Sequence, residues 1–174
     1  MIYRIVKYLN NPILERPAES VTEFGTPELA ELVESMFETM YSARGIGLAA
    51  PQIDIAKRIT VIDITGGEEG HEPEKLVLIN PEVIAKEGKI TEEEGCLSIP
   101  GIREPVTRAR KVTIRAQNTE GEWYEMDGED LLARAFQHEI DHLNRILFVN
   151  HLSALKRDLI RRRIRKLQKA GEWE

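Results

Sequence analysis

The sequence predicts an α+β fold: mixed or antiparallel sheets packed around a central helix bearing His-Glu-x-x-His, with a further helix at the C-terminus. Three observations predict it. The β-branched runs Arg58–Ile64 and Leu76–Ile79 are not separated by regularly alternating helices. From Asp130 onward, apolar residues recur at helical spacing together with two histidines four apart. A third periodic segment, strongly basic, follows Ser153.

Each element has a local reason. Residues 2–25 read as extended or irregular, broken by Asn10-Asn11-Pro12 and Pro17. Thr26 offers a capping hydroxyl and Pro27 a first helical residue. Leu29, Leu32, Val33, Met36 and Met40 then form one apolar stripe, and the helix should stop near Ala43, before Gly45 and Gly47. Between the two β-runs, Gly66 to Pro73 is an acidic surface loop. Val106–Gln117 and Trp123–Met126 flank the turn Asn118–Glu122 and read as a hairpin. The helix from Asp130 carries Leu131, Leu132, Ala135, Phe136, Ile140 and Leu143. Ser153 caps the last helix, about 153–169, docked through Leu155, Leu159 and Leu167.

Composition bounds the function. The 174 residues suit one catalytic domain, 1–174, with 41 % hydrophobic and 31 % charged residues. Thirty acidic residues against 24 basic ones give a net charge of −6, which argues against wrapping DNA. No apolar run is long enough to span a membrane. One cysteine, Cys96, rules out an intrachain disulfide, and the start resembles no export signal, so the expected location is the cytoplasm.

Histidines four apart share a helix face, so His138 and His142 can hold one ion, with Glu139 placed beside a water on it. A catalytic tetrahedral site needs a third protein ligand and an open position. The extended peptidase pattern would put glycine at 145 and histidine at 148, where this chain has Arg145 and Phe148. No acid follows His142 until Asp158, on the basic helix. The third ligand is therefore expected upstream, and Cys96 is the available thiolate. The run Gly45–Ala50 also matches a dinucleotide-binding loop. However, a helix precedes it and Pro51 follows, the reverse of what that loop requires.

Three segments in register resemble the motifs of peptide deformylases of the bacterial type with a C-terminal helix. They are Gly45-Ile46-Gly47-Leu48-Ala49-Ala50-Pro51-Gln52, Glu94-Gly95-Cys96-Leu97-Ser98 and His138-Glu139-Ile140-Asp141-His142. The resemblance implies removal of the N-formyl group from newly synthesised polypeptides that begin with formyl-methionine. It implies Cys96, His138 and His142 as ligands of one divalent ion, Fe²⁺ in the cell, with Zn²⁺ or another divalent ion also accommodated. Glu139 would be the general base, then the general acid. The Gln52 side chain and the Leu97 N–H would stabilise the oxyanion. Ile46, Gly47, Glu94, Arg103 and Leu131 would bind substrate. Glu94 or Asp141 could also accept a hydrogen bond from a ligand histidine. Two departures stand out: Arg145 where many relatives have glycine, implying a different helix cap that uses Asn144, and Asn150 where many have an acid.

Residues 156–169 hold eight Lys or Arg against Asp158 alone, so this helix is +7 and the rest of the chain −13. Relatives with such a helix bind the ribosome near the tunnel exit, which would assign Arg161, Arg162, Arg165 and Lys166 to ribosomal RNA. The competing readings are a metallopeptidase sharing His-Glu-x-x-His and a non-catalytic ribosome-binding metal protein.

Overall fold

In the computed structural model, which describes residues 1–174, the Thr26 hydroxyl accepts a hydrogen bond from the Leu29 N–H at 3.2 Å and α1 runs Pro27–Ser42. The expected stripe is buried: Leu29, Val33, Met36 and Met40 pack on Leu48, Ile59, Val61 and Ile79. The strands are β1 (Gly47–Ala49), β2 (Ile59–Ile62), β3 (Leu76–Glu87), β4 (Ile90–Cys96), β5 (Ile99–Arg108), β6 (Lys111–Gln117) and β7 (Trp123–Glu129). Five form one sheet in the order β1-β2-β3-β6-β7, while β4 and β5 form a separate hairpin. All these pairings are antiparallel.

Two strand expectations need correction. Leu76–Ile79 does not end at Asn80-Pro81 but continues to Glu87 through bulges between Ile79 and Glu82 and between Val83 and Ala85. Asn80 takes a left-handed φ of 50°, and its side chain bonds the backbone of Val21, outside the sheet, and the Gln117 amide on the neighbouring β6, so the bulge is held from both sides. Val106–Gln117 is not one strand. It breaks between β5 and β6, and the two halves join different sheets. At the break, the Gln137 side chain accepts from the Ala109 N–H and donates to the Ala109 carbonyl, at 3.0 and 2.9 Å. It satisfies the backbone groups that a continuous ladder would have paired.

The central helix, α2 (Asp130–Leu143), lays Ala133, Phe136 and Ile140 on the sheet residues Ile62, Leu78, Val112 and Ile114. Its C-terminus keeps the glycine-type ending despite the arginine. The Arg145 N–H reaches the His142 carbonyl at 3.2 Å and the Ile146 N–H reaches that of Asp141 at 2.9 Å. Arg145 itself sits at φ 61°, which is the double-bonded left-handed cap. The expected alternative cap is therefore absent. Asn144 instead accepts from Arg58 at 2.9 Å. Arg145→Gly is expected to stabilise the protein by about 0.5–1 kcal/mol, because relief of the left-handed strain exceeds the added entropy of the unfolded chain. A urea midpoint that stays put or falls would contradict this. Asn150 does supply local capping, its Oδ1 accepting from the Leu147 N–H at 2.7 Å.

Ser153 caps α3 (Ala154–Lys169) through the Lys156 N–H. The docking face differs from the expected one. Ile160 and Ile164 are buried with Tyr8, Leu14, Phe148 and Trp173, and Leu167 packs at the edge. Leu155 and Leu159 are 69 % and 54 % exposed. No helix is long and apolar enough to cross a membrane.

Candidate metal centre and active site

With one side of α2 committed to the sheet, its other side turns His138 and His142 toward Cys96, the last residue of β4. The two imidazole Nε2 atoms lie 3.1 Å apart, and the Cys96 Sγ lies 3.4 Å from His142 Nε2. All three ligand atoms fall within 4.8 Å of one another. Ordinary metal–nitrogen and metal–sulfur bond lengths at a tetrahedral ion give edges of roughly 3.3 Å and 3.6 Å. The donor set therefore fits a first-row divalent ion. No further His, Cys, Asp or Glu joins the cluster, so a fourth coordination position would be left to water or substrate. His142 Nδ1 is buried without a protein partner, so its orientation rests on packing and on what Nε2 holds.

Glu139 projects from the same helix but stands apart from the ligand cluster, its Oε1 3.8 Å from His138 Nε2. Burial pushes its carboxyl up to about 7, against the opposing pull of His138. That is a useful position for a group that must both accept and return a proton. The fit around it is close. A Cβ on Gly47 would lie 2.9 Å from Glu139 Oε1. The same Cβ would lie 3.0 Å from both Glu139 Cδ and Cγ, so Gly47→Ala is expected to displace the buried carboxylate at some cost in stability. It should lower kcat by about 10²-fold, the penalty for a displacement near 1 Å, and equal loss of fold and activity on denaturant titration would argue otherwise.

Gln52 is fully buried. Its Oε1 accepts from the Ala49 N–H at 2.9 Å, which aims Nε2 at Cys96 Sγ and Ser98 Oγ, 3.5 and 3.2 Å away. Leu97 occupies the turn after β4, and its N–H donates to no backbone carbonyl. One side-chain donor thus points at Cys96 Sγ, and one backbone donor on the next residue is left free.

Glu94 is buried among cations. Its carboxylate accepts from His138 Nδ1, from Arg108 at 2.6 and 3.0 Å, and from Arg134 at 2.6 Å. Burial alone would raise its pKa, but the hydrogen bonds from His138 and Arg108 outweigh burial and hold the carboxyl well below the usual range. Of the two acids considered as histidine acceptors, Glu94 is the one placed there. Asp141 instead meets Arg108 at 2.6 Å and His151 at 2.9 Å. Arg108 and Arg134 are the residues that sequence reasoning missed. Arg134 also donates to the carbonyls of Val106 and Ile90, tying α2 to both strands of the β4–β5 hairpin. A signal for it existed: Arg134, His138 and His142 are spaced by four and so share a helix face.

A cleft of about 710 Å³ opens over these groups. Ile46, Gly47, Gln52, Glu94, Cys96, Leu97, Arg103, Leu131, His138 and Glu139 all line it, so the structure brings the sequence-derived substrate residues to one place. Leu131 is 48 % exposed, so its side chain is open to the cleft rather than packed in the core. None of the four basic residues assigned to RNA lines the cleft; they lie on α3, where Arg161 contacts the Tyr8 hydroxyl and Arg162 pairs with Asp158.

The sequence profile of the family described as polypeptide deformylase matches residues 2–158. The chain belongs to the peptide deformylase family. It is 65 % identical over 173 residues to a peptide deformylase of Acidobacterium capsulatum, covering 99 % of each chain. It is 45 % identical over 167 residues to one of Stenotrophomonas maltophilia, covering 91 % of this chain and 96 % of that one. The crystal structure of a peptide deformylase from Legionella pneumophila superposes with a TM-score of 0.89 at 44 % identity, covering 100 % of this chain and 99 % of that one. The α+β fold and the recognition from three motifs agree with these likenesses. The deformylase segments 45–52, 94–98 and 138–142 supply Gln52, Cys96, Leu97 and the His-Glu-x-x-His face to a single cleft.

Proposed function

We infer that this cleft carries out the family's reaction, removal of the N-formyl group from newly synthesised polypeptides that begin with formyl-methionine. The observation that supports it best is a Cys/His/His cluster with no fourth protein ligand, opening onto a cleft with Glu139 at its edge. Cys96, His138 and His142 would hold one divalent ion. Such an ion would supply a Lewis acid that lowers the pKa of the attacking water and draws electron density from the formyl group. Glu139 takes the proton from the attacking water and returns it to the departing amine, so formate and a free N-terminus result. Gln52 Nε2 and the Leu97 N–H stabilise the oxyanion, donors of a kind worth about 10²–10³-fold each. Ile46, Gly47 and Leu131 flank the methionine side chain, and Arg103 lies toward the peptide that follows. Residues 1–174 act as one catalytic unit. Fe²⁺ is the expected ion in the cell, because a Cys/His₂ set suits either ferrous iron or zinc and this family commonly uses iron. Metal analysis after anaerobic purification checks it; stoichiometric zinc with full activity would remove the iron assignment.

The decisive assay compares formyl-Met-Ala-Ser with its acetylated and unformylated counterparts. Formate release from the first alone is the expected result. Cleavage of internal peptide bonds would support a metallopeptidase instead, and metal binding without either activity would support a non-catalytic metal protein.

We place the enzyme in the cytoplasm, with α3 against ribosomal RNA near the tunnel exit. Removing α3 would strip Ile160 and Ile164 from the core, so truncation is a poor test. Exchanging Arg161, Arg162, Arg165 and Lys166 for glutamine keeps the docking face. It should spare small-peptide turnover and reduce the salt slope of ribosome binding by roughly 3–4. An unchanged slope would remove α3 from the contact.

A further inference from the structure

The walls of the cleft carry more charge than the deformylation chemistry uses. Three cations stand around the Gly95–Ser98 turn, each fixed by a different part of the fold. Lys7 lies between Val6 and Tyr8, whose N–H groups bond the carbonyls of Gln52 and Ser98 at 2.8 and 2.9 Å. Arg44 is the left-handed residue that closes α1, at φ 59°. Its neighbour Gly45 packs so tightly on Leu97 that a Cβ there would meet Leu97 Cδ1 at 2.7 Å. Arg103 lies across Gly95, its Nη1 3.0 Å from where a Cβ on that glycine would be. All three line the cleft.

The acids on the same walls do not cancel them. Glu94 is consumed by Arg108, Arg134 and His138. Glu139 is buried. Only Glu93 faces the mouth in the open, 3.8 Å from Arg103. Lys7 and Arg44 pair with no carboxylate. The mouth is therefore net positive in a chain whose total charge is −6. Ile46 and Leu131 share this cleft with the three cations, so the residues that follow a formyl-methionine seated there would lie in a cation-lined space.

We propose that Lys7, Arg44 and Arg103 make the cleft mouth selective for substrates with acidic side chains at the two positions following the methionine. The inference rests on the deformylase reading and names the sequences that the site takes best. Because Arg44 and Arg103 are exposed and Lys7 is half-buried, the preference is electrostatic, falls with salt, and resides in KM more than in kcat.

The test uses the metal-loaded, full-length enzyme and four peptides. Three are C-terminally amidated, formyl-Met-Xaa-Xaa-Ser-amide with Xaa as Asp, Ala or Lys; the fourth is the Ala peptide with a free carboxylate. At low salt the Asp peptide is expected to exceed the Lys peptide by about tenfold in kcat/KM, with the ratio shrinking toward one near 0.5 M salt on the order of one Debye length of 4 Å. Arg44→Glu and Lys7→Glu, made separately, should each reduce the Asp-to-Lys ratio. Equal rates for the Asp and Lys peptides would overturn the proposal, as would a ratio that neither variant moves. A gain confined to the free-acid peptide would overturn it too, since that assigns the cations to a chain terminus rather than to side chains. Absence of formate from all four peptides would instead sink the deformylase reading, so the two failures are distinguishable.

Discussion

Replacing Glu139 by glutamine is expected to lower kcat by about 10²–10⁴-fold, the usual contribution of a positioned general base, while the protein retains its fold and its metal. The substitution preserves shape in a tightly filled position between Gly47 and Thr60. It removes the proton acceptor without touching a ligand atom, because Glu139 lies outside the Cys96, His138, His142 cluster. Stability should hold or rise. Burial already pushes this carboxyl up to about 7, so folding gains little from its charge near neutrality. Formate release, metal content and a urea midpoint measured on the same preparation check the three parts together. A wild-type rate with metal retained would remove Glu139 from the proton transfer.

What could be read directly from the sequence was chemistry held in short segments. The two histidines and Glu139 lie within five residues on one helix, so a periodicity argument reaches them. Cys96 is the only cysteine, which leaves little choice of thiolate. The supports around them were harder to see because their partners are distant in the chain. Arg108 and Arg134 read as surface charges until Glu94 is placed between them, 14 and 40 residues away. Strand ends were obscured for a related reason. Asn80-Pro81 is a stop signal locally, but the side chain of Asn80, bonded to Val21 and Gln117, turns it into a bulge. On α3, the leucines and the isoleucines both recur at helical spacing, and periodicity alone does not say which stripe faces inward. The basic residues spread around the helix gave no arbitration. The fold buried Ile160 and Ile164 and left Leu155 and Leu159 in solvent.

The second large effect concerns the buried cations. Glu94→Gln is expected to destabilise the protein by about 3–5 kcal/mol, the cost of leaving a buried charge without its partner. Glutamine keeps the volume, but it offers one acceptor oxygen where the carboxylate serves three donors, His138, Arg108 and Arg134. Its amide nitrogen would face at least one of those donors. Arg108 would retain Asp141 at 2.6 Å; Arg134 would retain only the carbonyls of Val106 and Ile90. The same change frees the His138 ring to rotate, so metal affinity should fall by about 10–100-fold. Chelator competition measures that loss separately from the urea midpoint. Arg134→Met separates the two effects further. It removes one cation and leaves the Arg108–Glu94–His138 chain in place, so the midpoint should fall while metal affinity changes less than in Glu94→Gln. If the arginine variant instead loses metal as readily as the glutamine variant, the orientation of His138 depends on the clamp between α2 and the β4–β5 hairpin rather than on the Glu94 hydrogen bond.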